Sequence, residues 1–278
     1  MRNIKIVADS SADLLELEGV PFAAAPLKII AGEQEFVDDA RLDVAGMVAW
    51  FDSYKKPSKT SCPNPGDWIE AFGAADEVFC VTITSGLSGS YNAACVAKQM
   101  YEAEHPGKKV YVIDSLSAGP ELVLIIEKLK EMIAEGKTFG EIGEYIEYYK
   151  NTTGLVFMLE SLKNFAANGR VSPAVAKIAG VLGIRIVGKA SDQGTLEPID
   201  KSRGEAKALA ALMQHMRTSG LQEGKVRIAH CQNEAAAEKF AAMLREQFPK
   251  VQMKIHTLRG LCSYYAEKGG LLIGFEKK

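Results

Sequence analysis

The stretch Thr82-Ile83-Thr84-Ser85-Gly86-Leu87-Ser88-Gly89-Ser90-Tyr91 ends an apolar run over residues 77–83 and opens a helical pattern over residues 88–104. A strand that passes through a hydroxyl- and glycine-rich turn into a helix is the repeating unit of a parallel α/β sheet. Such a turn also aims free backbone N–H groups and the positive end of a helix dipole at one point, a ready seat for a carboxylate or phosphate. Ser85 and Ser88 both fall within reach of that dipole, which does not choose between them, and Gly86 lets the turn close.

The same alternation extends outward in both directions. Residues 3–8 read as a buried strand, with Asp9, Ser10 and Ser11 as caps of a short helix. Residues 21–30 read as a second strand, 43–54 as a helix, 55–65 as a loop, and Pro65 suits the first turn of the helix that carries Trp68 and Phe72. A strand over 109–114 and a helix over 117–135 continue the order, which predicts a parallel sheet covered on both faces. Thr138-Phe139-Gly140-Glu141 is a capping box for a helix to residue 150, and a strand follows at 154–158. A helical segment over 161–183, interrupted at Gly169 and Pro173, precedes strands at 184–187 and 196–199 around the turn Asp192-Gln193-Gly194. A helix over 204–218, a strand over 225–231, a helix over 234–248 and strands over 251–258 and 271–276 complete the chain. The pattern breaks near Asn151, which divides it into domains 1–153 and 154–278, and ligands favour such junctions.

Composition narrows the function. The chain has 278 residues, 47% of them hydrophobic and 24% charged, and a formal charge of -2, a balance that argues against nucleic-acid binding. The start lacks the pattern of a signal peptide, and no run of 18 apolar residues suits stable membrane insertion. The five cysteines are scattered without a C-x-x-C pair, which suggests reduced thiols and a cytoplasmic protein. The four histidines show no metal-ligand spacing, so no metal is expected.

Several motifs together resemble the DegV family, whose members include the fatty-acid-binding subunits of bacterial fatty acid kinase. They are 7–14 (Val-Ala-Asp-Ser-Ser-Ala-Asp-Leu), 26–29 (Pro-Leu-Lys-Ile), 59–65 (Lys-Thr-Ser-Cys-Pro-Asn-Pro), 83–91, 112–115 (Val-Ile-Asp-Ser), 168–171 (Asn-Gly-Arg-Val), 228–230 (Ile-Ala-His) and 273–275 (Ile-Gly-Phe). The resemblance implies a two-domain DegV-like α/β fold, with a parallel-sheet N-terminal domain and a second α/β domain. It implies one bound long-chain fatty acid, its carboxyl near the two hydroxyl loops and its tail in the second domain. It also implies a separate ATP-using fatty acid kinase subunit that makes an acyl phosphate for phospholipid synthesis, so the chain itself is a carrier and not the catalyst. Arg170 resembles the family's arginine at the mouth of the site, and Arg185 and Arg203 are weaker rim residues. The chain departs from the family where a histidine-bearing turn is usual: Tyr265 stands there, a phenol that donates a hydrogen bond and is uncharged near neutral pH. Asn64 and Asn92 replace the common serine and glutamine.

The chemistry of such a ligand is arguable without the name. Burying a chain of about 16 carbons yields roughly ten kcal/mol at about 0.8 kcal/mol per methylene. The carboxylate loses hydration worth several kcal/mol unless hydrogen-bond donors replace it. Thr60 and Ser61 in one loop, with Ser85, Gly86 and Ser88 in the other, supply hydroxyl donors, and Thr60 or Ser61 with Ser88 are the expected direct contacts. Phe157, Phe165, Ile178, Ile184 and Ile186, with Leu159 and Val175, are the expected tail lining, and Ala176, Ala179 and Gly180 are small enough to leave room. The expected protein is a monomer.

Two other functions are weighed. A serine-dependent acyl hydrolase or transferase would use Ser88 or Ser85 as nucleophile, but there is no Gly-x-Ser-x-Gly elbow and no histidine with a claim to be its base. A nucleotide-dependent kinase lacks both a phosphate-binding Gly-x-x-x-x-Gly-Lys-Ser/Thr loop and acidic residues arranged for magnesium.

Overall fold

The structure, a computed structural model, describes residues 3–172, 175 and 183–278. Strands β1 (Ile4–Asp9), β2 (Phe22–Ala25), β6 (Glu77–Thr82) and β7 (Lys109–Asp114) form a parallel sheet in the order β2-β1-β6-β7. These strands read as nearly continuous apolar runs because helices cover both faces, and alternate side chains serve opposite cores. Ile6, Ala8, Phe79 and Val81 meet α4 (Pro120–Ala134) and α5 (Phe139–Tyr149). Val7, Val78 and Cys80 meet α2 (Pro65–Phe72) and α3 (Ser90–Glu104). All four strands point the same way, so Asp9, Ala25, Thr82 and Asp114 lie along one edge. The chain leaves β1 toward one side of the sheet and β6 toward the other, which makes the β1–β6 seam at that edge a natural crevice.

The second sheet is mixed, in the order β10-β9-β8-β13-β11-β12, from β8 (Thr153–Leu159), β9 (Ile184–Ala190), β10 (Leu196–Arg203), β11 (Gly224–His230), β12 (Val251–Thr257) and β13 (Leu271–Glu276). Between β8 and β9 lies a short helix, α6 (Lys163–Ala167). One face packs on α7 (Glu205–Thr218) and α8 (Glu234–Gln247) through Val156, Met158, Val187 and Ile228. The other face turns Leu155, Phe157, Leu159 and Leu272 toward Ile29, Met47, Val48 and Tyr264.

Helix α4 lies between the two sheets. Residues 120–126 of it are all buried, five of them large aliphatics that turn to both sides, and buried Glu121 is satisfied by the Thr153 hydroxyl. Its start touches β13 so closely that a Cβ on Gly274 would come 2.6 Å from the Pro120 backbone. Glu127 on α4 receives a bidentate Arg227 from β11, and Glu131 pairs with Lys225. Among the described residues no helix is long and apolar enough to cross a membrane.

Three readings of the sequence change. The strand expected over 21–30 is two strands, because Pro26 has no N–H to offer a ladder: β2 joins the parallel sheet, while β3 (Lys28–Ala31) joins a small antiparallel sheet ordered β4-β3-β5. That sheet contains β4 (Gln34–Val37) and β5 (Lys59–Ser61), the latter inside the expected loop. A short helix, α9 (Gly260–Ala266), appears where none is expected. Its first amides, Gly260 and Leu261, donate to the two oxygens of buried Asp38 at 2.9 Å each, a cap from the far end of the chain.

Candidate functional site

Buried Asp9, at the end of β1, organises the first wall. Its Oδ2 accepts the Ile83 N–H at 2.9 Å and the Ser90 hydroxyl at 2.6 Å, while Oδ1 accepts the Ser11 N–H and hydroxyl. Burial pushes this carboxyl above its ordinary range, and those hydrogen bonds pull the other way. Asp114, at the end of β7, accepts the N–H groups of Ser85 and Leu116 at 3.1 Å each. Two aspartates, at the ends of the strands on either side of β6, therefore fold the turn before α3.

The amides of that turn are mostly spent on the protein. Thr84 N–H donates to the Ser117 carbonyl, Gly86 N–H to Thr84 Oγ1, and Leu87 and Ser88 N–H to the Thr84 carbonyl. The expected nest of free amides is thus largely internal bonding, and the groups turned to the cavity are hydroxyls. Ser88 Oγ accepts the N–H of Ser90, the first residue of α3, at 3.2 Å. A hydroxyl that accepts still has its proton to donate, and Ser88 lines the cavity.

The second wall comes from three distant segments. Thr60 Oγ1 and Tyr265 Oη are 2.8 Å apart, and the Thr60 N–H donates to Asn168 Oδ1 at 3.1 Å. Tyr265 lies against Phe165 with ring centroids 4.6 Å apart. Burial raises its phenol above the ordinary value, with the Thr60 bond and the Arg170 charge opposing, so it stays a neutral donor. Arg170 ties the walls together: Nε donates to the Leu87 carbonyl at 3.0 Å and Nη1 to the Asn168 carbonyl at 2.5 Å.

Between these walls is a cavity of about 330 Å³, within the range of small-ligand pockets, roughly 300 to 1,000 Å³. Thr60, Ser61, Thr84, Ser88, Arg170 and Tyr265 border it, and Leu27, Leu155, Phe157, Leu159, Phe165, Leu196, Leu261 and Leu272 supply apolar lining. Exposed Ser61, Gly89 and Thr195 belong to its border, so it reaches the surface among polar groups.

Of the residues singled out in the sequence, Thr60, Ser61, Ser88, Tyr265, Arg170, Phe157 and Phe165 meet at this cavity. Ser85 is exposed and stands outside it. Gly86 also stands outside; a Cβ there would come 2.7 Å from the Gln193 carbonyl, so this glycine lets the turns at 84–88 and 191–195 touch. Ile184 and Ile186 belong to the same apolar cluster, behind the cavity surface. Arg203 is exposed on β10 away from the cavity, and Arg185 is paired with Glu160 at 2.6 Å. Ile178, with Ala176, Ala179 and Gly180, lies outside the described residues. Sequence reading passed over Asn168, Thr84, Gly194 and the anchoring role of Asp9. A lone Asp at a strand end followed by two serines is the one local signal.

No histidine borders the cavity among the described residues, so Ser88 has no imidazole base beside it. Nor do the described residues contain a group of three or more His, Cys, Asp or Glu placed to hold a metal.

The family model described as "Uncharacterised protein, DegV family" matches residues 3–278. The chain belongs to the DegV family. A DegV domain-containing protein of Streptococcus pneumoniae is 42% identical over 276 residues, 98% of each chain. Among solved DegV structures, one from Eubacterium eligens loaded with heptadecanoic acid has 46% identity and a TM-score of 0.97, covering 99% of this chain and 100% of that one. The S. pneumoniae Fatty Acid Kinase (Fak) B3 protein, loaded with linoleic acid, has 42% identity and a TM-score of 0.97 with both chains covered in full. The two-sheet α/β arrangement is that of the DegV structures.

Proposed function

We propose that this DegV protein binds one long-chain fatty acid and presents its carboxyl to a separate ATP-using fatty acid kinase subunit. The observation that carries the reading is an apolar cavity whose surface end is ringed by hydroxyls and one arginine. An alkyl tail gains roughly ten kcal/mol from such surroundings, and hydroxyl donors with one guanidinium offset the lost hydration of the head. Thr60, Ser61, Ser88 and Tyr265 hold the carboxyl in this reading, Phe157 and Phe165 flank the tail, and Arg170 stands at the rim where the acid is handed over. Relatives loaded with heptadecanoic and linoleic acid support the ligand class, and the Fatty Acid Kinase name of one of them supports the partner. The division into 1–153 and 154–278 belongs to the same proposal, with the acid held where the two meet. Denaturing extraction and mass spectrometry of the purified protein should release a stoichiometric fatty acid. An empty protein that also ignores added fatty acids would overturn the reading.

A further inference from the structure

A second concavity, of about 490 Å³, lies on the opposite side of α9 from the acyl cavity. Its floor is apolar, from Met47, Val48 and Phe51 of α1 (Val44–Ser53), and Tyr264 stands in its wall with its ring 5.0 Å from that of Phe51. Its rim is cationic: Lys55, Lys56, Lys163 and Lys268 border it, against the carboxylates of Asp52 and Glu267. Lys163 is paired with Glu267 at 2.7 Å and Lys55 donates to the Asp52 carbonyl. Lys56 and Lys268 are exposed and have no acidic partner among the described residues. A chain with a formal charge of -2 thus keeps a local surplus of two positive charges around an apolar floor. Glu267, at the rim, holds a left-handed φ of 55°, a conformation that costs a non-glycine residue about 1 to 3 kcal/mol and collects at ligand sites.

We propose that this cleft is a second binding site, for a small phosphate monoester with an apolar or aromatic body. A phosphate dianion matches the surplus charge, and lysines bind phosphate as point charges without demanding a fixed fork geometry. The body of the ligand rests on Phe51, Met47 and Val48. The cleft also shares a wall with the acyl site. Tyr264 Oη meets Ser58 Oγ at 2.7 Å and accepts from Asn168 Nδ2 at 3.0 Å, and Asn168 Oδ1 holds the Thr60 N–H. A ligand against Tyr264 therefore stands one side chain away from Thr60.

Phenyl phosphate is a suitable probe, titrated into the full chain by calorimetry and followed through ring-labelled tyrosine resonances. The expected result is saturable binding that moves the Tyr264 signal and persists after saturation with heptadecanoic acid. It should weaken about ten-fold or more in the Lys56→Glu/Lys268→Glu variant, as loss of two point charges requires. The milder Lys56→Gln/Lys268→Gln pair repeats the test, and near-ultraviolet circular dichroism checks the fold of both. Absence of saturable binding, equal binding by the double variants, equal binding of uncharged benzyl alcohol, or displacement by the fatty acid would each overturn the proposal. The last outcome would place the probe in the acyl cavity.

Discussion

The two walls of the candidate site are built in opposite ways. One is a single run of residues, 82–90, folded by Asp9 and Asp114 from the strands that flank β6. The other joins Thr60, Asn168 and Tyr265, its hydroxyl partners 205 positions apart in the chain. The first wall is rigid because its amides are spent on Asp9, Asp114, Thr84 and the Ser117 carbonyl, and the Ser90 hydroxyl on buried Asp9, before any ligand arrives. The second is a chain of neutral hydrogen bonds among Thr60, Tyr265 and Asn168, with no buried charge at its centre. Damage to the first should therefore cost stability and binding together, and damage to the second should cost mostly binding, and less of it.

The largest effect is expected for Asp9→Ala. It strands the Ile83 amide and the Ser90 hydroxyl in a dry interior, so urea unfolding should show a loss of about 3 kcal/mol or more, with fatty-acid binding lost alongside. Wild-type stability would show that water replaces the carboxylate and that the first wall is not rigid. Ser88→Ala removes the one hydroxyl that both accepts the Ser90 N–H at the start of α3 and faces the cavity. Affinity for a long-chain acid, measured by calorimetry, should fall by about 1 to 3 kcal/mol.

Acid separates stability from binding. His256, on β12 and remote from both walls, is held down at about 4 from an ordinary 6.5 by burial first and then by the charge of Arg227. Because the folded state resists protonating it, the unfolded chain binds the extra proton, and stability falls as pH drops from 6.5 toward 4. The loss should reach about 2 kcal/mol in thermal or urea unfolding, and His256→Gln should flatten it. No histidine borders the cavity among the described residues, so affinity should stay level between pH 6 and 8; a step there would mean that the grip depends on an ionising side chain such as Asp9, whose carboxyl burial raises.

The smallest effect is expected for Tyr265→Phe. The phenol that is lost leaves the Thr60 hydroxyl free to turn to the ligand, so the affinity change should stay near 1 kcal/mol or below. A loss as large as that of Ser88→Ala would show that the second wall is as poorly buffered as the first.

The same contrast explains what the sequence disclosed. The parallel sheet was legible because strands covered on both faces announce themselves as apolar runs, and Thr138 with Glu141 forms the capping box that its spacing predicted. Thr60, Ser61 and Ser88, which border the cavity, stood out in the sequence because hydroxyls cluster visibly in a short stretch. The three residues of β5 were hidden because so short a strand shows no alternation, and its pairing with Ile29 is tertiary. Helix α9 was hidden because its cap is Asp38, more than 200 residues upstream. The free amides expected around Ser85 were an error of a related kind: Thr84 consumes three of them within the turn, and Asp114 at the end of β7 and the Ser117 carbonyl after it take two more.

A rod clasped from both sides makes a poor hinge. With α4 wedged between the sheets, its leucines and isoleucines in one core and its glutamates paired with Arg227 and Lys225 across the other side, prying the halves apart would strip both at once. A clamshell opening would therefore be costly, so traffic in and out is expected to pass along the rim, and melting should take both sheets in one step.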